Sequence, residues 1–135
     1  MFGRSKTKTE NFMETYKLAF STTDFNELLN KVDVVYIATP HDSHYKYAKK
    51  AIMNGKHVLC EKPLTLSKKE TEELYDLSER NNVVLLEGIK TAYCPGFNRL
   101  INVAKTGVIG SLVGISASFT KLVPDGTREL KYDQF

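Results

Sequence analysis

The most constraining feature of this sequence is the run Val32–Ala38, VDVVYIA, which is rich in β-branched residues and almost entirely apolar. A strand with one wet face alternates apolar and polar residues, whereas this run has a charged residue only at Asp33. We therefore predict a strand buried on both faces, as is typical of parallel sheets covered by helices. Thr39 and Pro40 end the run, because proline has no N–H to donate to a ladder.

A helix and a second strand follow this run. The helix is predicted to be capped by Asp42 or Ser43 and to close at Gly55, with four residues on its apolar face: Tyr45, Ala48, Ala51 and Ile52. The apolar run His57–Cys60 is the second strand. Strand, helix and strand in about 30 residues form a βαβ unit, whose crossover is right-handed.

The same pattern then repeats once. Ser67 and Glu70 form a capping box for a helix that extends to about Arg80, and Val83–Leu86 is another short buried run. Three parallel strands joined by helices predict an α/β fold containing part of a doubly wound sheet.

The segment before these strands has weaker patterns. Thr7 and Glu10 form a capping box for a predicted helix over residues 8–17, and Leu18–Ser21 is a candidate short strand. Asp24 and Glu27 predict one or two further helical turns.

The character of the chain changes after Glu87. Helical spacing predicts a helix over Phe97–Ala104. In the run Leu112–Phe119, apolar residues alternate with small or polar ones, which predicts a strand with one exposed face. We place a domain boundary near residue 88, between domains of residues 1–87 and 88–135, the second being the start of another α/β domain.

Composition excludes several classes of protein. With 41% hydrophobic and 26% charged residues, the 135 residues are predicted to fold as a globular protein. Nineteen basic and sixteen acidic residues give a net charge of only +3 without a basic stripe, which argues against nucleic-acid binding. Neither a membrane span nor a signal peptide is apparent, and Cys60 and Cys94 match no metal or redox spacing. We therefore expect a cytoplasmic protein that holds no metal.

The residues after the second strand are the leading candidates for chemistry. Glu61, Lys62 and Pro63 follow His57–Cys60 directly, and ligands of open α/β sheets bind just beyond the carboxyl ends of the strands. A lysine fixed there by a following proline is suited to contacting a bound molecule. The alternative is a solvated charged pair in a loop, since charged residues are mostly exposed.

Taken together, four motifs resemble the Gfo/Idh/MocA oxidoreductases, the family of glucose–fructose oxidoreductase and inositol dehydrogenase. They are Thr39-Pro40 with His44 four residues later, Gly55-Lys56-His57-Val58, Glu61-Lys62-Pro63 and Gly107-Val108-Ile109-Gly110. The resemblance extends from about residue 3 to residue 120. It implies an N-terminal NAD(P)-binding Rossmann domain and a second α/β domain that often forms an oligomer interface.

The resemblance also implies a reaction and a set of site residues. The reaction is hydride transfer between a sugar-like or polyol carbon and nicotinamide, with Lys62 as the catalytic residue and Tyr93 at the substrate. Arg4, at the end of the family's second strand, would favour the 2′-phosphate of NADP over NAD. For His44, a purely structural role is an equal alternative, and the Lys62–Pro63 bond is often cis in the family. The implied cofactor-binding residues are Arg4, Ser5, Thr39, Pro40, His44, Glu61 and Lys62.

Parts of the family pattern are not found in this sequence. It contains no G-x-G-x-x-G turn to hold a pyrophosphate, and none of its three histidines corresponds to the family's catalytic histidine. The family's Arg-Phe before a proline reads Ala92-Tyr93-Cys94 before Pro95, which keeps the aromatic residue only. We therefore expect a truncated family member that is inactive by itself. It should form homo-oligomers through the open edge of the Val32–Ala38 strand or through the Leu112–Phe119 sheet. The alternative is a non-catalytic oligomeric or partner-binding module.

Overall fold

The computed structural model describes residues 1–118 and residue 120. Their strands are β1 (Val34–Ile37), β2 (His57–Cys60) and β3 (Leu85–Glu87). Their helices are α1 (Lys6–Tyr16), α2 (Phe25–Leu29), α3 (His44–Met53), α4 (Lys68–Arg80) and α5 (Pro95–Lys105), and short 3₁₀ turns cover His41–Ser43 and Lys90–Tyr93. The chain divides into two compact units, Met1–Tyr93 and a second that begins at Cys94.

The first unit contains a parallel three-stranded sheet of order β1-β2-β3. In its register Val35 lies beside Val58, and Val58 lies beside Leu85. Helix α3 connects β1 to β2 and helix α4 connects β2 to β3, so the chain makes two successive βαβ crossovers. This arrangement confirms the α/β class and the partial doubly wound sheet predicted from the sequence.

One face of the sheet forms the hydrophobic core. Every second strand residue points toward α3 and α4, and alternation along the strand brings these apolar side chains together. The central helix contributes Ala51 and Ile52, both 0% exposed, and Leu74 does the same from α4. The strand residues in this core are Val35, Ile37, Val58, Cys60 and Leu85.

The opposite face of the sheet is open, and the predicted burial of β1 on both faces is wrong. Val34 is 58% and Tyr36 is 59% exposed, and Leu59 and Leu86 continue the exposed apolar surface across β2 and β3. The physical reason lies in the connections. Right-handed crossovers that proceed in one direction across a sheet place both helices on the same face. In a doubly wound fold, the helices that cover the other face of the sheet connect strands on the far side of β1.

The amino-terminal segment lies beside α2 and α3. Phe2 forms a parallel bridge with Thr22, and its ring packs edge-on against Phe25 and Tyr47 at centroid distances of 5.1 and 5.3 Å. The candidate strand Leu18–Ser21 does not form, because pairing in this region is limited to that single bridge.

Helix caps agree with the sequence at two of the predicted positions. Ser67 accepts a hydrogen bond from the N–H of Glu70 at 3.2 Å, and Asp24 caps α2. The cap of α1 is Ser5 rather than Thr7, so α1 begins at Lys6. Ser43 occupies the cap position of α3, but its side chain makes no capping hydrogen bond there.

The second unit contributes helix α5, which starts with a proline in its first turn, where an N–H is not needed. The predicted strand Leu112–Phe119 is wrong for residues 112–118, which are exposed and not in a strand, while Phe119 lies outside the described residues. A strand requires a neighbouring strand as hydrogen-bond partner, and the described residues of this unit provide none. Across the described ranges, no helix is long and apolar enough to cross a bilayer.

Candidate functional site

The carboxyl ends of the three strands lie at one edge of the sheet, because the strands are parallel and in register. Strand β1 leads to Thr39-Pro40, β2 leads to Glu61-Lys62-Pro63, and β3 ends at Glu87 before Gly88. The candidate site is built from these three loops, which we call the β1, β2 and β3 loops.

The buried side chain of His44 contacts both the β1 loop and the β2 loop. The ring is 0% exposed, with Nδ1 2.8 Å from the carbonyl oxygen of Pro63 and Nε2 2.8 Å from that of Thr39. Each ring nitrogen faces a carbonyl oxygen, and a nitrogen that carries a proton donates to it. Both nitrogens therefore have partners within the protein.

Glu87 holds the same loop from the other side. Its Oε1 accepts a hydrogen bond of 2.8 Å from the N–H of Leu64, a residue that is 2% exposed. The peptide group between Pro63 and Leu64 is thus held at its C=O by His44 and at its N–H by Glu87. As the resemblance suggested, the Lys62–Pro63 bond is cis. The backbone just after Lys62 is consequently fixed to the ends of both neighbouring strands.

Gly88 permits close contact between the β3 and β2 loops. Its N–H donates to the carbonyl oxygen of Cys60 at 2.7 Å. A Cβ at this position would lie 3.3 Å from that oxygen and 3.5 Å from Cα of Glu61. The glycine therefore allows β3 to pack against the residue that precedes Lys62.

The carboxylate of Glu61 is engaged with Tyr36 of β1. The Tyr36 hydroxyl donates to Glu61 Oε1 at 2.7 Å. This hydrogen bond, with smaller contributions from the backbone N–H and charge of Lys62, lowers the pKa of Glu61 below its usual value. The same hydrogen bond raises the pKa of Tyr36. Glu61 is therefore an ionised acceptor at neutral pH, immediately before an exposed Lys62.

The other predicted residues differ in whether they contact the β1, β2 and β3 loops. Tyr93 donates its hydroxyl to the carbonyl oxygen of Glu87 at 3.1 Å, which attaches it to the β3 loop. Ser43 Oγ lies 2.8 Å from Thr39 Oγ1 in the β1 loop. Arg4 is exposed and Ser5 caps α1, and within residues 1–118 no hydrogen bond or ion pair joins either of them to the strand ends. The structure therefore links Tyr36, His44 and Glu87 to the loop that carries Lys62.

Two residues of the site were not identified from the sequence, Tyr36 and Glu87. Tyr36 appeared to be an ordinary strand residue. Glu87 carried a usable signal, since it is an acidic residue at the carboxyl end of a predicted buried strand. In the described part of the chain, no group of three or more His, Cys, Asp or Glu side chains is arranged to hold a metal ion.

A right-handed parallel βαβαβ unit with its polar residues at the carboxyl edge is the architecture of nucleotide-binding Rossmann domains. Comparison with protein families gives the same class, because the model of the oxidoreductase family with an NAD-binding Rossmann fold, Gfo/Idh/MocA, matches residues 1–89. The chain belongs to the Gfo/Idh/MocA family.

Similar proteins of known function include an inositol dehydrogenase and a reductase of a dTDP-linked sugar. The NADP(+)-dependent scyllo-inositol 2-dehydrogenase of Bacillus subtilis is 37% identical over 102 residues, which cover 74% of this chain and 31% of that enzyme. The dTDP-3,4-didehydro-2,6-dideoxy-alpha-D-glucose 3-reductase of Streptomyces violaceoruber is 33% identical over 131 residues, covering 96% of this chain and 38% of the reductase. The chain thus spans about a third of the length of these relatives.

Two solved oxidoreductase structures have the same fold over most of this chain. An NAD-binding oxidoreductase from Klebsiella pneumoniae superposes with a TM-score of 0.75 at 29% identity, over 81% of this chain and 29% of that one. KijD10, a 3-ketoreductase from Actinomadura kijaniata in complex with TDP-benzene and NADP, gives a TM-score of 0.69 at 28% identity, over 81% of this chain and 35% of the reductase.

Proposed function

We propose that this chain forms the nicotinamide side of the active site of an NAD(P)-dependent oxidoreductase acting on a sugar-like or polyol substrate. The observation that carries the proposal is the fixed β2 loop, which presents Lys62 at the edge where the three strands end. Its backbone is held by His44 and Glu87. Family membership and the named activities of the relatives support the same reaction class.

The residues present fit one half of a dinucleotide site. An exposed lysine beside an ionised Glu61 suits the nicotinamide and substrate end. The G-x-G-x-x-G turn that cradles a pyrophosphate is not part of this sequence. When bound, the nicotinamide would supply or accept the hydride. The chain contributes orientation and charge around it.

Lys62 is the proposed catalytic residue. Its ammonium would donate a hydrogen bond to the reacting oxygen of the substrate and stabilise negative charge that develops there. Glu61, fixed by Tyr36, would orient Lys62 through its charge. Thr39, Pro40 and His44 would border the cofactor from the β1 loop. For His44 this leaves only the ring surface or backbone for contact, since both nitrogens have protein partners.

We also propose which cofactor the chain prefers, which residue contacts substrate and where a second domain begins. Arg4 and Ser5 would lie at the adenosine ribose, and an exposed arginine there favours NADP. The names of two relatives that use or bind NADP support this choice. Tyr93 would contact substrate, and residues 88–135 would begin a second α/β domain. Two free cysteines, one of them buried, support a reducing, cytoplasmic location.

The alternative function is a non-catalytic module that forms oligomers or binds a partner. Two observations favour it for this chain by itself: the phosphate-binding turn is not in the sequence, and one face of the sheet is apolar and exposed. Efficient hydride transfer requires cofactor, substrate and proton-transfer groups to be held together.

A fluorescence titration with NADPH and NADH tests the proposed function. We expect saturable binding that Lys62→Ala weakens by about tenfold, the value of one charge-assisted hydrogen bond. Lys68→Ala is the matched control, since Lys68 is an exposed lysine at the start of α4. Arg4→Ala should weaken NADPH binding but not NADH binding. Equal affinities for both lysine variants, or no saturation at near-millimolar cofactor, would contradict the proposal and favour the non-catalytic module.

A further inference from the structure

His57 is the first residue of β2, and the proposed function does not use its side chain. It is half-buried at the amino edge of the sheet, opposite the edge where the candidate site lies. The N–H of Val84 donates to Nδ1 of its ring at 2.9 Å. The ring therefore connects β2 to the residue that precedes β3.

This hydrogen bond takes the place of a bond of the parallel ladder. The register that pairs Val58 with Leu85 places Val84 opposite His57. In a regular parallel pair, Val84 would donate its N–H to the carbonyl oxygen of Lys56 and accept a hydrogen bond from Val58. Val84 does accept from Val58 at 2.8 Å, but its own N–H donates to the ring of His57. The side chain of His57 thus takes part in the pairing of β2 with β3.

The contact requires one particular protonation state of the ring. A backbone N–H can only donate, so Nδ1 is the acceptor and carries no proton, which places the proton of the neutral imidazole on Nε2. An imidazolium has an N–H on both nitrogens and offers Val84 no acceptor. A second proton on the ring would therefore break this hydrogen bond and set two N–H groups against each other.

The charged groups near this edge of the sheet do not titrate in the same range as an imidazole. Imidazole changes its charge between about pH 5 and pH 8, whereas carboxylates, lysine and arginine ordinarily do not. Among the described residues, no ion pair joins His57 to a charged side chain. The charged residues in the segments that lead into the three strands are Lys31, Asp33, Lys56, Glu79 and Arg80.

The far end of β3 carries a residue of the candidate site. The strand has only three residues, Leu85–Glu87, so the bonds at each of its ends contribute much of its attachment to β2. At the carboxyl end, Glu87 accepts the N–H of Leu64 and thereby holds the β2 loop. A weaker attachment at the amino end would loosen the strand that positions this carboxylate.

We propose that His57 is a pH-sensitive switch of the pairing between β2 and β3. With Nδ1 unprotonated, the ring holds Val84 and the amino end of β3 in place. With a second proton on the ring, Val84 is released and the hold of Glu87 on Leu64 weakens. The switch follows from these contacts and does not rest on the proposed function.

Nuclear magnetic resonance of the full chain tests this proposal. Long-range nitrogen–proton spectra of the imidazole show which ring nitrogen carries the proton. Exchange of the Val84 and Leu64 amides, normalised to the intrinsic rate at each pH, shows how firmly each N–H is held. His57→Asn keeps an acceptor oxygen that does not titrate, and His57→Phe keeps a ring without an acceptor. His41→Asn is the matched control, since it removes a histidine at the carboxyl edge of the sheet.

At pH 8 we expect Nδ1 to carry no proton and the Val84 amide to be protected. Between pH 8 and pH 5 this protection should fall about fivefold, the value of one hydrogen bond, with a smaller fall at Leu64. His57→Asn should keep the protection of Val84 at both pH values, His57→Phe should lack it at both, and His41→Asn should behave as the unsubstituted chain does.

Three results would overturn the switch. They are a proton on Nδ1 at pH 8, protection of Val84 that does not change with pH, and a pH dependence that persists in His57→Asn. If the protection of Val84 falls while that of Leu64 stays constant, the switch does not reach the β2 loop, and that part of the proposal is wrong.

Discussion

Removal of the Glu87 carboxylate should destabilise the first unit, because the N–H of Leu64 loses its hydrogen-bond acceptor. Glu87 Oε1 accepts the 2.8 Å hydrogen bond from the N–H of Leu64, a residue that is 2% exposed. A hydrogen bond to a charged acceptor contributes about 1.5–3 kcal/mol, and an unpaired buried donor costs about as much. We therefore expect Glu87→Ala to lower the free energy of unfolding by about 2 kcal/mol.

The variant Glu87→Gln separates the hydrogen bond from the charge. Glutamine keeps an acceptor oxygen in the same place, so only the charge-assisted part is lost, and we expect a decrease of about 1 kcal/mol. Glu79→Ala, which removes an exposed carboxylate on α4, is the control and should change stability by less than about 0.5 kcal/mol.

Urea unfolding followed by circular dichroism measures these differences. With a slope of about 1–2 kcal/mol per molar, Glu87→Ala should lower the midpoint by about 1 M or more at unchanged slope. The Leu64 amide should also lose its exchange protection before global unfolding. If Glu87→Ala and Glu79→Ala unfold at the same urea concentration, Glu87 does not hold the β2 loop. If Glu87→Gln is as unstable as Glu87→Ala, the loss does not come from the hydrogen bond.

Three further predictions follow from the site and the core. Burial raises the pKa of Cys60 to about 12, so a thiol reagent should modify the exposed Cys94 in the folded chain and Cys60 only after unfolding; equal rates would contradict this. Gly88→Ala should destabilise the chain by about 1–2 kcal/mol in urea unfolding, because its Cβ would crowd the carbonyl oxygen of Cys60. Tyr36→Phe should lower stability at neutral pH. The difference should vanish in acid as Glu61 is protonated below its lowered pKa, and in base above the raised pKa of Tyr36; a constant difference across pH would refute the coupling.

The Pro63–Leu64 peptide group explains how this edge of the sheet is organised. His44 reaches it from the start of α3, and Glu87 reaches it from the end of β3. Substitution of either side chain is expected to act on Lys62 indirectly, through the backbone that carries it. We therefore propose Glu87 and His44 as positioning residues and Lys62 as the residue that contacts cofactor and substrate.

Where local patterns decide structure, the sequence was a reliable guide. The βαβ repeat follows from short apolar runs separated by helical periodicity, and the Ser67 cap follows from a side chain that bonds an N–H three residues away. The four motifs taken together indicated the family, and Glu61-Lys62-Pro63 placed Lys62 at the carboxyl edge of β2.

Where partners distant in sequence decide structure, the same patterns failed. The run Leu112–Phe119 has the alternation of a strand, but strands form only by pairing. The described residues of this unit offer residues 112–118 no strand to pair with. Strand β1 has the apolar composition of a strand covered on both faces, yet only one face is covered, because both crossovers place their helices there.

The sequence alone thus determined the class of fold, the family and the lysine at its proposed chemical centre, since these depend on residue order within a few turns or one motif. Only the tertiary structure decided that His44 and Glu87 hold one peptide group between them and that Tyr36 fixes Glu61. It also decided that apolar side chains of β1 and of the amino-terminal segment line one groove. Each of these depends on side chains or backbone edges from different strands, which no spacing along the chain encodes.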